Sequence, residues 1–199
     1  MVGAGVDRLG PAAVRLARHD VTKLLAFREE AAAWLRGLGS DQWSRPYPAD
    51  KLLATIEAGT VFMLRDGHTT AGTITLTPDA EDGLWTDDEL IEPSMFVNKL
   101  TVAREYAGQN LGARLLDWAS DRAHRAGARW VRLDAWTTND ALQRYYLEQG
   151  FTYLRTVREG TAVNGEPRVS GWLAQRAARP TDHGFTDRTP TPARLPFAA

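Results

Sequence analysis

The stretch that decides the fold is FVNKLTVAREYAGQNLG, residues 96–112. An apolar strand is predicted to end at Val102, and a short turn then leads into a helix that opens at Gly108 or Asn110. The first backbone N–H groups of such a helix point outward, unpaired, at its positive end, and they can form a cradle for an anion. The segment lacks the lysine of a Walker A phosphate loop, so the expected ligand is a pyrophosphate that is bound rather than cleaved. A plain strand–turn–helix, with its glycines placed for packing, is the alternative.

A second stretch, NDALQRYYLEQGF, occupies residues 139–151. Its Asn139 stands seven residues before Tyr146, and a Gly-Phe pair follows. Taken together, the two stretches resemble the GNAT acetyltransferase superfamily, whose members transfer an acyl group from acyl-CoA to an amine. The resemblance covers the order of elements over residues 12–174, and its motifs are specific over residues 96–151.

The resemblance implies that the turn and the first helical residues hold the pyrophosphate of acetyl-CoA. Gly112 matches the last glycine of the family's turn pattern, but Asn110 stands where the family usually has glycine, and Ala107 where it usually has arginine or glutamine. Asparagine tolerates tight turn geometry and Ala107 keeps its backbone donor, so we expect the cradle to survive. The cofactor-binding residues predicted here are Gly108, Gln109, Asn110, Leu111, Gly112 and Ala113.

Further roles follow from the same resemblance. Tyr146 matches the general acid that protonates the departing CoA thiolate, with a simple packing aromatic as the alternative. Asn139 matches the residue that bonds the CoA arm. The main-chain amides near Leu100, Thr101 and Val102 match the strand that binds pantetheine and polarises the thioester carbonyl.

The chemistry also requires a base, because an alkylamine with a pKa of about 10 must lose a proton before it attacks. Two carboxylates are candidates: Asp134, on the strand beside the cofactor strand, and Glu92, which precedes the cofactor strand. We rank Asp134 slightly ahead, and a solvated carboxylate is the alternative for both. Lys99, on the cofactor strand, could bind a phosphate or a substrate carboxylate, with a surface-facing lysine as the alternative. Since the chain has no cysteine, a thioacyl-enzyme is excluded and direct attack in a ternary complex is expected.

Composition narrows the function classes. The 199 residues include 24 basic and 25 acidic side chains, and the net charge of −1 does not indicate nucleic acid or a membrane as partner. Without cysteine there is no thiolate metal site, and the four histidines are not spaced as ligands, so no metal is expected. No apolar run could span a membrane and no signal peptide is evident, which predicts a cytoplasmic protein. The acidic segment at residues 79–92 could steer a cationic amine, although charge runs are usually just solvated.

The order of predicted elements indicates one mixed α/β domain over residues 1–175, a GNAT-like fold with a central mixed sheet of about seven strands flanked by helices on both faces. Helices are predicted at 21–36, 49–57, 110–126 and 139–149. Residues 176–199 hold four of the ten prolines and few large apolar groups. We therefore expect this segment to be a flexible tail unless it docks.

The function expected from these observations is transfer of an acetyl group from acetyl-CoA, as co-substrate, to a primary amine of a small molecule. A protein N-terminus or a lysine side chain is the alternative acceptor. A CoA-binding sensor or scaffold that has lost turnover is the alternative from another class, and the substitutions at Ala107 and Asn110 keep it open. A nucleotide-binding domain unrelated to CoA is disfavoured, because no acidic ribose-binding position follows a glycine fingerprint. A homodimer is left open.

Overall fold

A computed structural model describes residues 12–15, 20–37, 39, 43, 48–161 and 167–196. The described residues form one eight-stranded mixed sheet and several helices. The strands are β1 (Ala12–Arg15), β2 (Val61–Asp66), β3 (Thr69–Thr77), β4 (Ser94–Val102), β5 (Trp130–Trp136), β6 (Thr152–Thr156), β7 (Ser170–Ala177) and β8 (Thr186–Asp187). Their order in space is β6-β7-β5-β4-β3-β2-β1-β8. The helices are α1 (Val21–Gly37), α2 (Ala49–Glu57), α3 (Asp87–Ile91), α4 (Leu111–Arg125) and α5 (Asp140–Glu148).

Helices cover both faces of the sheet, and the side chains of β2 point alternately into the two cores that result. Val61 and Met63 pack with buried residues of α1 and α2. Phe62 and Leu64 face the other way and pack with α4. The ring of Trp118 in α4 stands edge-on to Phe62, with centroids 4.8 Å apart. The predicted mixed α/β fold with helices on both faces is confirmed, and the sheet contains one short strand more than the expected seven.

The neighbouring parallel strands β4 and β5 pair only at one end. Residues 94–97 lie opposite residues 130–133, and no further pairs join the two strands within the described residues. Beyond that point β4 continues along β3 to Val102, and β5 continues along β7 to Trp136. The two strands therefore part and leave a gap between their carboxyl ends, called here the β4–β5 gap. A bulge on β4 lies at the mouth of this gap, where Lys99 has a left-handed backbone with φ 53°.

The closed end of the same strand pair is held by a buried guanidinium. Arg132 of β5 has a fully buried side chain that donates to the carboxylate of Glu92 (2.7 Å) and to the side chain of Gln175 in β7 (3.0 Å). Another of its N–H groups donates to the carbonyl of Glu89 in α3. The Glu89 carboxylate in turn accepts two hydrogen bonds from Arg155 of β6 (2.6 and 2.7 Å). Helix α3 was not among the predicted helices; it begins with a capping box and ties β5 and β6 together.

Residues 178–196, expected to be flexible unless they docked, lie along the outer side of α4. Arg114 donates to the carbonyl oxygens of His183 (3.0 Å) and Gly184 (2.8 Å). Phe185 is only 8% exposed and belongs to the main core. The short strand β8 then pairs in parallel with β1 and becomes the sheet's edge. Most of these contacts use backbone carbonyls, which every residue type has, or single polar side chains. The amino-acid composition of the segment therefore could not predict that it docks.

One carboxylate fastens this segment to α4. Asp187 accepts a hydrogen bond from the indole N–H of Trp118 (3.0 Å) and pairs with Arg125 (3.0 Å). Trp118 is completely buried, so its N–H has no water to replace that acceptor. Burial acts to raise the pKa of Asp187, but hydrogen bonds from Thr189, Trp118 and Arg125 outweigh burial and hold this pKa below its usual value.

We expect Asp187→Ala to lower Tm by several degrees, because it leaves the Trp118 N–H without its acceptor at a cost of about 1–3 kcal/mol. Thermal unfolding checks this, with Arg188→Ala, an exposed neighbour, as the control. A carboxylate whose pKa is lower in the folded than in the unfolded state stabilises the fold at neutral pH. This stabilisation is lost as the pH falls through the folded-state pKa. The Tm difference should therefore be full at pH 7 and shrink below about pH 4. Equal Tm values for both variants would show that the segment contributes nothing through this carboxylate.

Candidate active site

The amino end of α4 turns sharply out of the strand that precedes it. Gly108 (φ 80°) and Asn110 (φ 57°) both have left-handed backbone. Asn110 is the residue before the helix, and its side chain makes no capping hydrogen bond. Asparagine is one of the few residues other than glycine that adopt this conformation readily, so the departure from the family's glycine leaves the turn intact.

This turn leaves a row of backbone donors exposed. The first bond of α4 runs from the N–H of Arg114 to the carbonyl of Asn110 (3.1 Å). Within the described part of the chain, the N–H groups of residues 110–113 have no acceptor. The N–H of Gln109, also predicted to face the anion, donates instead to the Tyr106 carbonyl (3.2 Å). Four consecutive amides at a helix amino end form the anion cradle, and this geometry fits a pyrophosphate.

A tyrosine packs directly against the cradle. A Cβ placed on Gly112 would lie 2.6 Å from the hydroxyl oxygen of Tyr145 and 3.5 Å from its Cζ. Glycine is therefore required here for space rather than for backbone conformation. Burial raises the pKa of Tyr145 to about 12, so its hydroxyl stays protonated at neutral pH.

Two strand amides face the β4–β5 gap. The N–H of Ala103 donates to the carbonyl of Ala71 in β3 (3.0 Å), and hydrogen-bonding direction alternates along an antiparallel strand. The amide of Thr101 therefore faces β3. The amides of Leu100 and Val102 face the opposite side, where β5 has parted from β4. Of the three predicted strand amides, two are at the gap and that of Thr101 belongs to the sheet ladder.

Tyr146 lies in the core on the α4 face of the sheet. It is 7% exposed and contacts the rings of Phe151 (5.8 Å between centroids) and Tyr145 (5.7 Å). Its hydroxyl hydrogen-bonds to none of the described residues. Burial, then the neighbouring Tyr145 and the carboxylate of Asp134, raise the pKa of Tyr146 well above its usual value. The hydroxyl is therefore protonated at neutral pH and close enough to Asp134 to feel its charge.

Asp134 is on the opposite face of the sheet. Its neighbours in β5, Leu133 and Ala135, belong to the main core under α4, so the side chain of Asp134 points toward the α1–α2 face. Burial raises the pKa of this carboxyl, and a hydrogen bond from Ser170 and nearby cations oppose that rise. The structure thus places Tyr146 and Asp134 on either side of the β4–β5 gap.

Comparison with known proteins identifies this architecture. A sequence model of the Acetyltransferase (GNAT) family matches residues 25–151. The chain belongs to the GNAT acetyltransferase family. The uncharacterized N-acetyltransferase YesJ of Bacillus subtilis is 33% identical over 142 residues, which cover 68% of this chain and 78% of that protein.

Solved GNAT structures share the fold. A GNAT acetyltransferase from Listeria monocytogenes superposes with a TM-score of 0.68 at 22% identity, covering 84% of this chain and 94% of its own. YncA from Salmonella typhimurium, whose structure contains acetyl-CoA, superposes with a TM-score of 0.59 at 17% identity, covering 85% and 94%. This GNAT protein is an acyl-CoA-dependent acetyltransferase, and its unpaired cradle amides fit the pyrophosphate of acetyl-CoA. No helix in the described ranges combines the length and apolar character that a bilayer crossing requires.

A second carboxylate lies within electrostatic reach of Asp134 in this GNAT enzyme. Glu81 forms an ion pair with Arg168 (3.0 Å), whose side chain is almost fully buried. Burial raises the pKa of Glu81, the charge of Asp134 raises it further, and Arg168 and Lys99 oppose the rise. In the sequence, Glu81 stands out only as a member of the acidic segment at residues 79–92. No local pattern connects it with Asp134, because the two residues are far apart in the chain.

The other predicted base, Glu92, is at the closed end of the strand pair. Its two carboxylate oxygens are bound by Arg129 (2.8 Å) and Arg132 (2.7 Å). Since a strand rises about 3.3 Å per residue, β4 separates Glu92 from Leu100 by roughly 20–25 Å. The structure therefore gives Glu92 a part in holding β4 and β5 together and keeps it away from the gap.

Asn139 stands at the start of α5. Its side-chain oxygen accepts a hydrogen bond from the N–H of Leu142 (3.0 Å), which caps the helix. This cap orients the helix that carries both tyrosines. A contact of Asn139 with the CoA arm stays a prediction.

We expect Gly112→Ala to weaken acetyl-CoA binding, because the new Cβ must displace the Tyr145 hydroxyl or shift the cradle. Isothermal titration of acetyl-CoA gives the Kd. The double variant Gly112→Ala/Tyr145→Phe removes the 2.6 Å contact and should regain part of the lost affinity. If Gly112→Ala binds acetyl-CoA with the same Kd as the wild-type protein, the assignment of residues 108–113 to the cofactor site is wrong.

Proposed function

We propose that this enzyme transfers an acetyl group from acetyl-CoA to a primary amine of a small molecule, by direct attack in a ternary complex. The observation that carries the proposal is the β4–β5 gap with its two outward amides and its two flanking acid–base groups. The attacking amine and the leaving thiolate are separate substituents of the tetrahedral carbon that forms during acyl transfer, so the proton of each is handled by its own group. Tyr146 and Asp134 lie on opposite sides of the gap, which supports those two roles.

The backbone supplies the binding and the charge stabilisation. The amides of residues 110–113 would hold the pyrophosphate, and those of Leu100 and Val102 would hold the pantetheine arm and the carbonyl oxygen. Acetyl-CoA, when bound, supplies a thioester carbonyl that develops negative charge on its oxygen. A preorganised donor aimed at such an oxygen contributes a rate factor of about 10²–10³.

Asp134 would accept the proton of the acceptor amine, directly or through a water. Its burial raises the pKa of the carboxyl and so makes it a stronger base than an exposed aspartate. We propose Asp134 in preference to Glu92 because both oxygens of Glu92 are bound by arginines.

Tyr146 would donate the proton that the departing thiolate takes up. A CoA thiol has a pKa of about 8.5, so its thiolate leaves more easily when an acid protonates it. The Tyr146 hydroxyl is protonated at neutral pH and can donate this proton to the thiolate; because the pKa of Tyr146 is raised, the tyrosinate that remains then regains a proton from solvent.

The decisive experiment follows release of free thiol from acetyl-CoA in the presence of small amines or of peptides. Thiol release with small amines supports the proposal. If thiol is released only with peptide N-termini or lysine side chains, the acceptor is a protein and not a small molecule. Acetyl-CoA binding without thiol release from any amine would favour a CoA-binding module that has lost turnover.

We expect Tyr146→Phe to lower kcat by about 100-fold or more, because general acid catalysis contributes a rate factor of about 10²–10⁴. The Kd for CoA should change little, since only the hydroxyl is lost. Steady-state kinetics and titration measure the two quantities separately. Tyr153→Phe, at a tyrosine that is 46% exposed, is the matched control. An unaltered kcat in Tyr146→Phe would assign the acid to another group.

We expect Asp134→Asn to remove the acid limb of the pH profile of kcat/KM. In the wild-type enzyme this limb should lie above pH 4, because burial raises the pKa of Asp134. Glu92→Gln is the matched control: it should lower Tm by weakening the contact with buried Arg132 and leave the limb in place. Loss of the limb in Glu92→Gln and its retention in Asp134→Asn would reverse the assignment.

A further inference from the structure

A pocket on the α1–α2 face borders the bulge of β4. It lies between α1, α2, β3 and β4. The residues that matter for its chemistry, called here the acceptor pocket, are Phe27, Arg28, Leu52, Thr73, Thr75 and Lys99. Its walls combine apolar side chains from the helices with hydroxyl and cationic groups, which is the usual make-up of a small-molecule site.

Two cations from separate elements line this pocket. Lys99 reaches it from the bulge of β4, and Arg28 reaches it from α1. The guanidinium of Arg28 stacks over the ring of Trp43 at 4.9 Å, which limits its freedom. The left-handed backbone of Lys99, φ 53°, is a conformation that few residues other than glycine adopt. Backbone strain of this kind is concentrated at functional sites.

The two charges act on each other. Burial lowers the pKa of Lys99, and the charge of Arg28 lowers it further. A guanidinium has five N–H donors and an ammonium has three, so both side chains can donate charge-assisted hydrogen bonds to a small anion beside the contacts that they already make. The hydroxyls of Thr73 and Thr75 on the neighbouring strand provide additional donors.

The other flank of Lys99 faces the proposed base. The carboxylates of Asp134 and Glu81 act to raise the pKa of Lys99 and so lie within its electrostatic reach. The lining of the acceptor pocket is therefore cationic, and the carboxylate of the proposed base lies within electrostatic reach of it. An anionic second group on an amine that is held near Asp134 would be attracted toward Lys99 and Arg28.

We propose that the acceptor is a small amino-carboxylate, whose amine lies toward Asp134 and whose carboxylate is bound between Lys99 and Arg28. This inference rests on the proposed function and narrows its substrate class. It gives Arg28 and Lys99 a role in specificity, while the acid–base groups remain Tyr146 and Asp134.

The test compares amino acids with their own carboxamides as acceptors. Each pair differs only in the charge of one group, and the panel includes α-, β- and γ-amino acids. We expect kcat/KM to favour the carboxylate member by about tenfold or more, since a hydrogen bond to a charged group contributes about 1.5–3 kcal/mol. Lys99→Met and Arg28→Gln should each remove this preference mainly through KM. Acetyl-CoA affinity should stay constant in both.

Matched controls lie on the exposed side of α1. Lys23→Met and Arg36→Gln make the same substitutions outside the pocket and should keep the preference. Equilibrium binding of the same amino acids to the CoA-saturated protein provides a readout that is independent of turnover. If an amino acid binds to the CoA-saturated wild-type protein and not to Lys99→Met, the result supports the carboxylate site even when no member of the panel is acetylated.

Two results would overturn the inference. One is equal or faster acetylation of the uncharged members, which would leave the proposed acetyl transfer standing. The other is that no amino-carboxylate binds or reacts. Acetyl-CoA binding without acetylation of any amine would count against the proposed function instead.

Discussion

Strands β4 and β5 pair over residues 94–97 and 130–133 and then separate, and the candidate site depends on this separation. Buried backbone N–H groups in proteins are almost always hydrogen-bonded, and leaving one without a partner costs about 1–3 kcal/mol. The amides of Leu100 and Val102 face the space that β5 has left. A ligand that supplies carbonyl oxygens, such as the pantetheine arm in the mechanism that we propose, would satisfy these amides.

The separation is possible because the opposite end is held firmly. The buried guanidinium of Arg132 binds Glu92, Gln175 and the backbone of α3. Beyond the separation, β4 continues to pair with β3 on the far side of its bulge, and β5 pairs with β7 along its whole length. The gap can therefore open without loosening the rest of the sheet, and the bulge at Lys99 turns β4 away at the right point.

The sheet also divides the chemistry between its two faces. The cradle and Tyr146 belong to the side of α4 and α5, where the main core is. Asp134 and the acceptor pocket belong to the side of α1 and α2. In the mechanism that we propose, the two substrates would therefore reach the gap from opposite faces of the sheet. The docked C-terminal segment supports the first of these faces by fastening α4 through Asp187.

Local features were predictable wherever a short pattern specifies its own conformation. The turn before α4 and the helices predicted at 49–57 and 139–149 all have such patterns, and the structure contains each of them. Glu92 could not be separated from Asp134 in this way. Both are carboxylates next to core strands, and only the contacts with Arg129 and Arg132 distinguish them.

By itself, the sequence determined the mixed α/β class, the turn that exposes the first amides of α4, the helix that carries Tyr145 and Tyr146, and the exclusion of cysteine chemistry. These depend on residue type, periodicity and spacing within short segments. Only the tertiary structure decided which carboxylate faces the gap and that Glu81 lies within electrostatic reach of Asp134. It also decided that Arg28 and Lys99 line one pocket and that the C-terminal segment docks. Those contacts join residues far apart in the chain. Strand order and side-chain packing bring them together, and no local pattern records either.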